Sequence, residues 1–369
     1  MKLPVVRFAR ETSGFGKVLR ERVENYFEES GKKKSGGFSM YFKTSLMLAL
    51  YFTPWALFTF GVISGGVWFW VAEIVMGLGL AGIGLNIMHD GNHNSYSKNK
   101  WINKMMGRTV DLVGGNAEMW NIQHNVLHHT FTNIDGLDED IDPASVLRFN
   151  PHKPLYKIHR FQHIYAWALY SLMTIFWMLP KDWISLARYH KKDLIKTTGR
   201  TTKGIFFHML FTKSIYFTYS LALPLIFSSP SISWWSILLG WAVMHAVAGF
   251  LMAIIFQPAH VMEHNLFPQA EDAGLKLDST RLEHQLEATA NFGVNNRLLT
   301  YLCGGLNFQI EHHLFPNICH VHYRALSKIV KETAKEYSLT YRANMTFSDA
   351  LRMHTITLKN LGRRRTKLA

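Results

Sequence analysis

The chain is 369 residues long, 48% hydrophobic and 14% aromatic, with a formal net charge of +14 and two cysteines, Cys303 and Cys319. So few cysteines exclude a disulfide framework and a Cys-ligated iron–sulfur cluster, and both are expected as buried small apolar residues. A balance this basic points to nucleic acid or to an anionic membrane surface. The long uncharged stretches decide for the membrane and against nucleic acid.

Residues 1–38 mix Lys, Arg and Glu and lack the apolar core of a secretory signal peptide. A basic segment ahead of the first span is expected to stay in the cytoplasm. From 44 to 72 no side chain is charged, and beyond Glu73 the run continues uncharged to Met88. That is too long for one crossing at about 20 residues each. Ser64-Gly65-Gly66 is the natural turn, giving spans near 44–63 and 67–88, with Trp68 and Trp70 placed as an interfacial aromatic belt. Glu73 is costly inside a span unless it is partnered or protonated, and the sequence gives it no role.

Two histidine boxes follow, His89-Asp90-Gly91-Asn92-His93 and His124-Asn125-Val126-Leu127-His128-His129. On a helix His89 and His93 project from one face, as do His124 and His128. Residues 164–179 are again uncharged, but sixteen residues are marginal for a span. If that run crossed, the first two boxes and the third would face opposite sides of the membrane. It is therefore read as an interfacial or re-entrant helix under a catalytic cap.

A second hairpin, with spans near 206–227 and 232–256, turns at Ser228-Ser229-Pro230-Ser231, with Trp234 and Trp235 just beyond. Lys213, near the entering end, is expected to snorkel to the interface. His245, in the middle of the fourth span, is expected to hydrogen-bond within the bundle. Both joints lack Lys and Arg while the flanking segments are rich in them, which places the joints outside and the rest in the cytoplasm. At the end of the fourth span, His260 and His264 are again four apart. His260 is the better ligand candidate, since one of such a pair can face the outer shell. The third box is Gln309-Ile310-Glu311-His312-His313, and the run Gly362-Arg363-Arg364-Arg365-Thr366-Lys367 reads as a solvated tail touching anionic lipid. The expected fold is an all-α integral membrane protein, four transmembrane helices in two hairpins with a helical cytoplasmic cap.

A single histidine is usually a satisfied core or surface residue, and His152, His159, His163, His190, His208, His284, His320, His322 and His354 are read so. The boxes differ, because pairs recur at ligand spacing and all fall on the cytoplasmic side. With His260 the inventory is His89, His93, His124, His128, His129, His260, His312 and His313, and Gln309 is a ninth ligand candidate or water-holder. Neutral imidazole is the commonest transition-metal ligand. One ion takes three or four protein ligands, so eight imidazoles imply two metals. The boxes hold no thiolate. Two zinc ions would suggest hydrolysis, for which His-Glu-x-x-His is wanted and is not found. Two irons suit an all-nitrogen shell and the reduction of O2 to a species able to take hydrogen from an unactivated C–H bond.

In these motifs the chain resembles the membrane fatty acid desaturases over most of 40–325. His-x3-His, His-x3-His-His and Gln-x-x-His-His stand in that family's order with similar separations. Three features resemble its front-end (linoleoyl-CoA, delta-5 and delta-6-like) branch: Gln309, His128-His129-Thr130-Phe131-Thr132-Asn133 with Asp138-Glu139-Asp140, and Gly304-Gly305-Leu306-Asn307-Phe308. That branch inserts a double bond between an existing one and the carboxyl end; sphingolipid desaturases of the branch share the Gln. The resemblance implies a desaturase domain over 39–325 between segments 1–38 and 326–369. It also implies the eight histidines as ligands of two Fe ions, O2 as co-substrate and a fatty acyl substrate on coenzyme A, a carrier protein or a lipid. Gln309 stands where other branches have a histidine. The acidic loop 138–142 reads either as solvated turn or as acceptors for ligand N–H protons. The His-Pro-Gly-Gly mark of a fused cytochrome b5 domain is not found and the 38-residue leader is short for one, so electrons are expected from a separate cytochrome b5 or ferredoxin-type protein. The membrane is a bacterial plasma membrane or endoplasmic reticulum, with the site facing the cytoplasm. Competing readings are a diiron acyl or sphingoid hydroxylase and a histidine-rich metal transporter; the transporter would put its ligands inside the spans along a pathway.

Overall fold

The computed structural model describes residues 4–143, 145–270, 274–343 and 345–363; the basic-tail residues from 364 onward lie outside them. The chain is mostly helical, and among the described residues the named strands are one two-residue parallel pair, Val6–Arg7 with Leu275–Lys276. Two compact units emerge, each assembled from separate stretches: 1–36, 123–166 and 255–369 form one, and 37–122 with 167–254 form the other.

The second unit holds the long apolar helices. Helix α1 (Phe15–Ser30) belongs to the first unit, and α2 (Gly37–Thr59) opens the second. A turn at 60–65 leads into α3 (Gly66–Gly82), where Gly65 at φ +121° and Gly66 at φ +63° take backbone that side-chain-bearing residues avoid. Helix α3 runs on through a π-helical segment, Ile83–Met88, into His89–Asn92. Helix α4 (Thr202–Phe217) likewise continues to Phe227, and α5 runs from Trp234 to His260. Among the described residues three helices, 66–92, 202–227 and 234–260, are long and apolar enough to cross a membrane. Helix α2, at 23 residues, has the length but is not one of the three. The two joints are neighbours, since a Cβ on Gly65 would lie 3.5 Å from Ser231 O.

The run 164–179 is broken, with helices Gln162–Ser171 and Met173–Phe176 followed by a π-helical turn, Trp177–Lys181. It meets α5 halfway along. Thr174 Oγ1 donates to His245 O at 2.8 Å, and a Cβ on Gly249 would sit 2.9 Å from the carbonyl oxygens of Tyr170 and Ser171. His245 is bonded within the bundle as expected, to Tyr216 Oη at 2.6 Å and Thr174 Oγ1 at 3.1 Å.

Lys213 does not snorkel. Its ammonium is buried and donates to Gly114 O (2.6 Å), Met178 O (2.7 Å) and Asp182 Oδ2 (2.9 Å), and Asp182 Oδ1 accepts from Trp177 Nε1. With three acceptors in reach, a desolvated ammonium is better paired inside than stretched to the surface. Removing one member of a buried pair typically costs about 3–5 kcal/mol. Lys213→Met should therefore lower the unfolding temperature of the detergent-solubilised protein clearly, and an unchanged temperature would show the pair to be dispensable.

The first unit is built around the third box. Phe15, Leu19, Val23 and Phe27 of α1 share one core with Phe308, Ile310 and Leu314, and with Tyr323, Leu326 and Val330 of the helix Tyr323–Glu336. The spacing 15, 19, 23, 27 is one helical face, buried against the segment that carries His312 and His313. Cys303 and Cys319 are both buried thiols, as expected.

Candidate metal centre

In the first unit the second box stands on a π-helical turn, Ile122–His128. The defining bond is His129 N–H to His124 O, 2.9 Å across five residues. In an α-helix residue 129 would point about 140° away from residue 124. The wider turn instead brings the imidazoles together, with His129 Nε2 3.2 Å from His124 Nε2 and 3.0 Å from His312 Nε2. Nitrogens about 2.1 Å from one tetrahedral ion lie about 3.4 Å apart, so the spacing is close to that of a shared cation.

The loop after the box fixes these rings. Asp138 accepts from His128 Nδ1 at 2.9 Å and is itself held by the N–H groups of Asn133 (2.8 Å) and Asp140 (3.0 Å). Asp140 takes His124 Nδ1 at 2.8 Å and is also bonded by Gln123. Of the two readings left open for the acidic loop, this is the acceptor role. Burial opposes a charge on His128, but Asp138 and Asp140 outweigh it and raise the imidazole pKa.

The third box occupies the short helix Gln309–Leu314, all of it buried. Asn291 Oδ1 accepts from Ile310 N–H at 2.9 Å, while Asn291 Nδ2 and Tyr341 Oη donate to the two oxygens of Glu311 at 2.7 and 2.8 Å. Burial raises the Glu311 carboxyl to about 8, with those hydrogen bonds pulling the other way. His312 Nδ1 lies 3.3 Å from Tyr323 Oη and His313 Nδ1 3.3 Å from Thr132 Oγ1. Burial, followed by the neighbouring imidazoles, pushes His313 well below its ordinary pKa, which keeps it in the neutral, ligating form.

His260 ends α5, and Asn133 Nδ2 holds its carbonyl at 3.0 Å. Ligand atoms of His128, His260 and His313 lie within 4.8 Å of one another, as do those of His129, His312 and His313. His128 Nε2, His313 Nε2 and both nitrogens of His260 are buried without a hydrogen-bond partner. An unsatisfied buried ring nitrogen costs roughly 1–3 kcal/mol, and here several converge on one point. That is what a bound cation would satisfy, and the donor set fits a nitrogen-ligated transition metal. Gln309 sits beside His260, fully buried, and neither of its side-chain polar atoms completes a hydrogen bond. His264 is half-buried in the turn beyond α5, and the two histidine groups above do not include it.

In the second unit His89 and His93 are paired as their spacing predicts. Their rings are 4.7 Å apart, and each meets the edge of Trp120, at 5.6 and 5.7 Å. Gly91 between them is required, because a Cβ there would sit 2.3 Å from Gly107 N. Of the surrounding groups, Asp138 and Asp140 carried a sequence signal in their acidic cluster. Thr132 lies in the run quoted after the second box, but its pairing with His313 carried no signal; nor did Asn291 and Tyr341, which bond Glu311, or Tyr323, which meets His312.

Residues 64–344 match the family Fatty acid desaturase. The chain is 34% identical over 354 residues to the sn-1 linoleoyl-lipid 6-desaturase of Synechocystis sp., covering 95% of this chain and 96% of that one. It is 34% identical to the acyl-lipid (8-3)-desaturase of Physcomitrium patens, over 95% of this chain and 72% of the relative. With the acyl-lipid (8-3)-desaturase of Mortierella alpina the identity is 30%, over 96% of this chain and 79% of the relative.

Proposed function

Because the chain belongs to the fatty acid desaturase family, we propose that it introduces a cis double bond into a lipid-linked fatty acyl chain at the front end, using O2 and two electrons. The observation that carries this reading is the convergence of buried imidazole nitrogens whose opposite ring nitrogens are tied to Asp138, Asp140, Thr132 and Tyr323. Relatives named as 6- and 8-3-desaturases of acyl lipids support the substrate class and the regioselectivity. Expression in a host fed defined fatty acids, followed by mass spectrometry, tests the proposal. Loss of two hydrogens with a new double bond on the carboxyl side of an existing one is expected. Gain of one oxygen would make it a hydroxylase.

The ligand set of the two irons is His89, His93, His124, His128, His129, His260, His312 and His313, with Gln309 as a further ligand or water-holder and His264 outside the shell. When bound, the iron pair would supply the redox chemistry by which O2, two electrons and two protons remove one hydrogen from each of two neighbouring methylenes and give two water molecules. The chain's own residues present and hold the ligands. Asp138 and Asp140 fix the tautomer and direction of His128 and His124, and Asn291 and Tyr341 clamp the helix that carries His312 and His313. The packed aromatic and aliphatic side chains around these rings exclude bulk water.

The chain is further proposed to cross the membrane four times, near 44–63, 67–88, 206–227 and 232–256, with the desaturase domain at 39–325 and flanking segments 1–38 and 326–369. Both termini and the site then face the cytoplasm, where a separate cytochrome b5 or ferredoxin-type protein delivers electrons. The adjacency of the two joints and the broken, mid-helix docking of 162–181 on α5 support a re-entrant segment there. Single cysteines placed at 65, 190 and 230 in a background lacking Cys303 and Cys319 test the topology. Positions 65 and 230 should label from outside and 190 from the cytoplasm. Labelling of 190 from outside would make 164–179 a span and separate the first box from the third.

A further inference from the structure

The first unit has an open cleft of about 200 Å³ between α1, the helix Arg281–Ala288 and the segment that follows the third box. Small-molecule and cofactor sites usually measure about 300–1,000 Å³, so this one suits a side chain or two supplied by a partner protein. Its floor is apolar: Val23 of α1, Leu282, Leu314, Phe315 and Ile318. Its rim is charged, with Arg20 and Glu24 on one edge of α1 and Lys34 beyond. Glu24 is neutralised by Lys34 in an exposed ion pair. Among the described residues Arg20 has no ion-pair partner. The rim therefore presents one unbalanced guanidinium, beside an ammonium whose exposed pairing a second carboxylate can share.

The same cleft is where the segment of the third box reaches the surface. Gln309, Ile310, Glu311 and His312 are closed off from solvent, whereas Leu314 and Phe315, which line the cleft, are 8% and 9% exposed. Phe315 is two residues past His313, so at about 3.8 Å per residue its Cα lies within about 8 Å of the Cα of that histidine. A desaturase takes in two electrons for each double bond, from a protein that never enters the site. Electron transfer weakens steeply with distance, so the donor needs a seat where the surface lies close to the ligands.

Resting on the desaturase reading and its separate electron donor, we propose that this cleft is the docking seat of a one-electron donor protein with an acidic face. An apolar side chain of the donor fills the floor, and carboxylates around it meet Arg20 and Lys34. Each visit oxidises the donor by one electron, which passes inward along the segment 313–315. Two visits supply the two electrons, and no atom or bond is exchanged with the donor.

The test uses the full-length, iron-loaded enzyme in lipid nanodiscs, with a soluble cytochrome b5 and a plant-type ferredoxin as probes. Binding is read by surface plasmon resonance, and turnover as a function of donor concentration. At least one of the two should bind wild type, and more weakly as salt is raised. Arg20→Glu should weaken that binding about tenfold or more and raise the KM for the donor by a similar factor, with kcat at saturating donor within about twofold. Lys359→Glu makes the same change of charge on the helix Phe347–Leu361, which does not line the cleft, and should leave binding and KM within about twofold. Asn317→Trp, at an exposed position on the rim, narrows the cleft without changing its charge and should also weaken binding. Equal losses in Arg20→Glu and Lys359→Glu would overturn the proposal in favour of attraction by net charge alone. Wild-type binding by both Arg20→Glu and Asn317→Trp, or no binding of either donor to wild type, would overturn it outright. If one of these two variants fails to insert in the membrane, the other decides. The desaturase reading fails separately, if wild-type cells fed defined fatty acids form no new double bond.

Discussion

His128→Ala and His312→Ala are each expected to abolish turnover while the chain still inserts in the membrane. Both imidazoles are fully buried, and both have their Nδ1 committed elsewhere, to Asp138 and to Tyr323. Their Nε2 atoms are what each contributes to the centre, and alanine supplies nothing in exchange. With one ligand missing, the neighbouring rings also lose the ion that would compensate their burial, so the loss is not confined to one bond. Wild-type protein should carry about two irons per chain by metal analysis, and each variant fewer. His190→Ala, at an exposed histidine bonded to Thr202, should keep its activity and serves as the control. If His128→Ala retained more than a small fraction of wild-type turnover, His128 would not be a ligand. One iron or none in active wild-type enzyme would end the two-metal assignment.

Asp138→Asn should lower metal affinity or activity by about 10–100-fold, the usual size of effect when the acceptor behind a ligating histidine is changed. The side chain keeps its shape, but its amide must turn an N–H toward one of three donors that the carboxylate now accepts: His128 Nδ1, Asn133 N or Asp140 N. The tautomer of His128 is then no longer fixed, and the negative charge that raises its pKa is gone. Asp142→Asn is the matched comparison. Asp142 pairs with Lys153 in a half-exposed contact, and such pairs are worth roughly 0–1 kcal/mol, so that change should matter little. Equal effects from the two variants would mean that the acidic loop acts through its overall charge rather than through the His128 contact.

The residues that were legible from the sequence are those whose role is set by local spacing. His89 and His93 meet because four residues make about one α-helical turn, and three of the long uncharged runs form helices of 26 or 27 residues, two of them carried through a π-helical segment. Long-range pairing was not legible. Lys213 looked like an interfacial lysine because its partner, Asp182, is thirty-one residues earlier and belongs to another element. The clamp of Asn291 and Tyr341 on Glu311 joins three separate segments, and helix α1 reads as a charged leader until its buried face is matched with residues beyond 300. His129 is an instructive middle case. Its place in the box was plain, but α-helical geometry points it away from His124, and only the π-helical turn brings it back.

That turn makes backbone pitch, as much as residue identity, the fixed quantity in the second box. A π-helical turn is in effect a one-residue insertion that the helix absorbs by widening. Forcing the same residues back to ordinary α-helical pitch would swing His129 to about 140° from His124, and the two would part with every histidine still present. Deleting Asn125 would instead leave them four residues apart, about 40° from one another and on one face. Length and pitch compensate each other in this box, so either changed alone disturbs the centre that the other would keep.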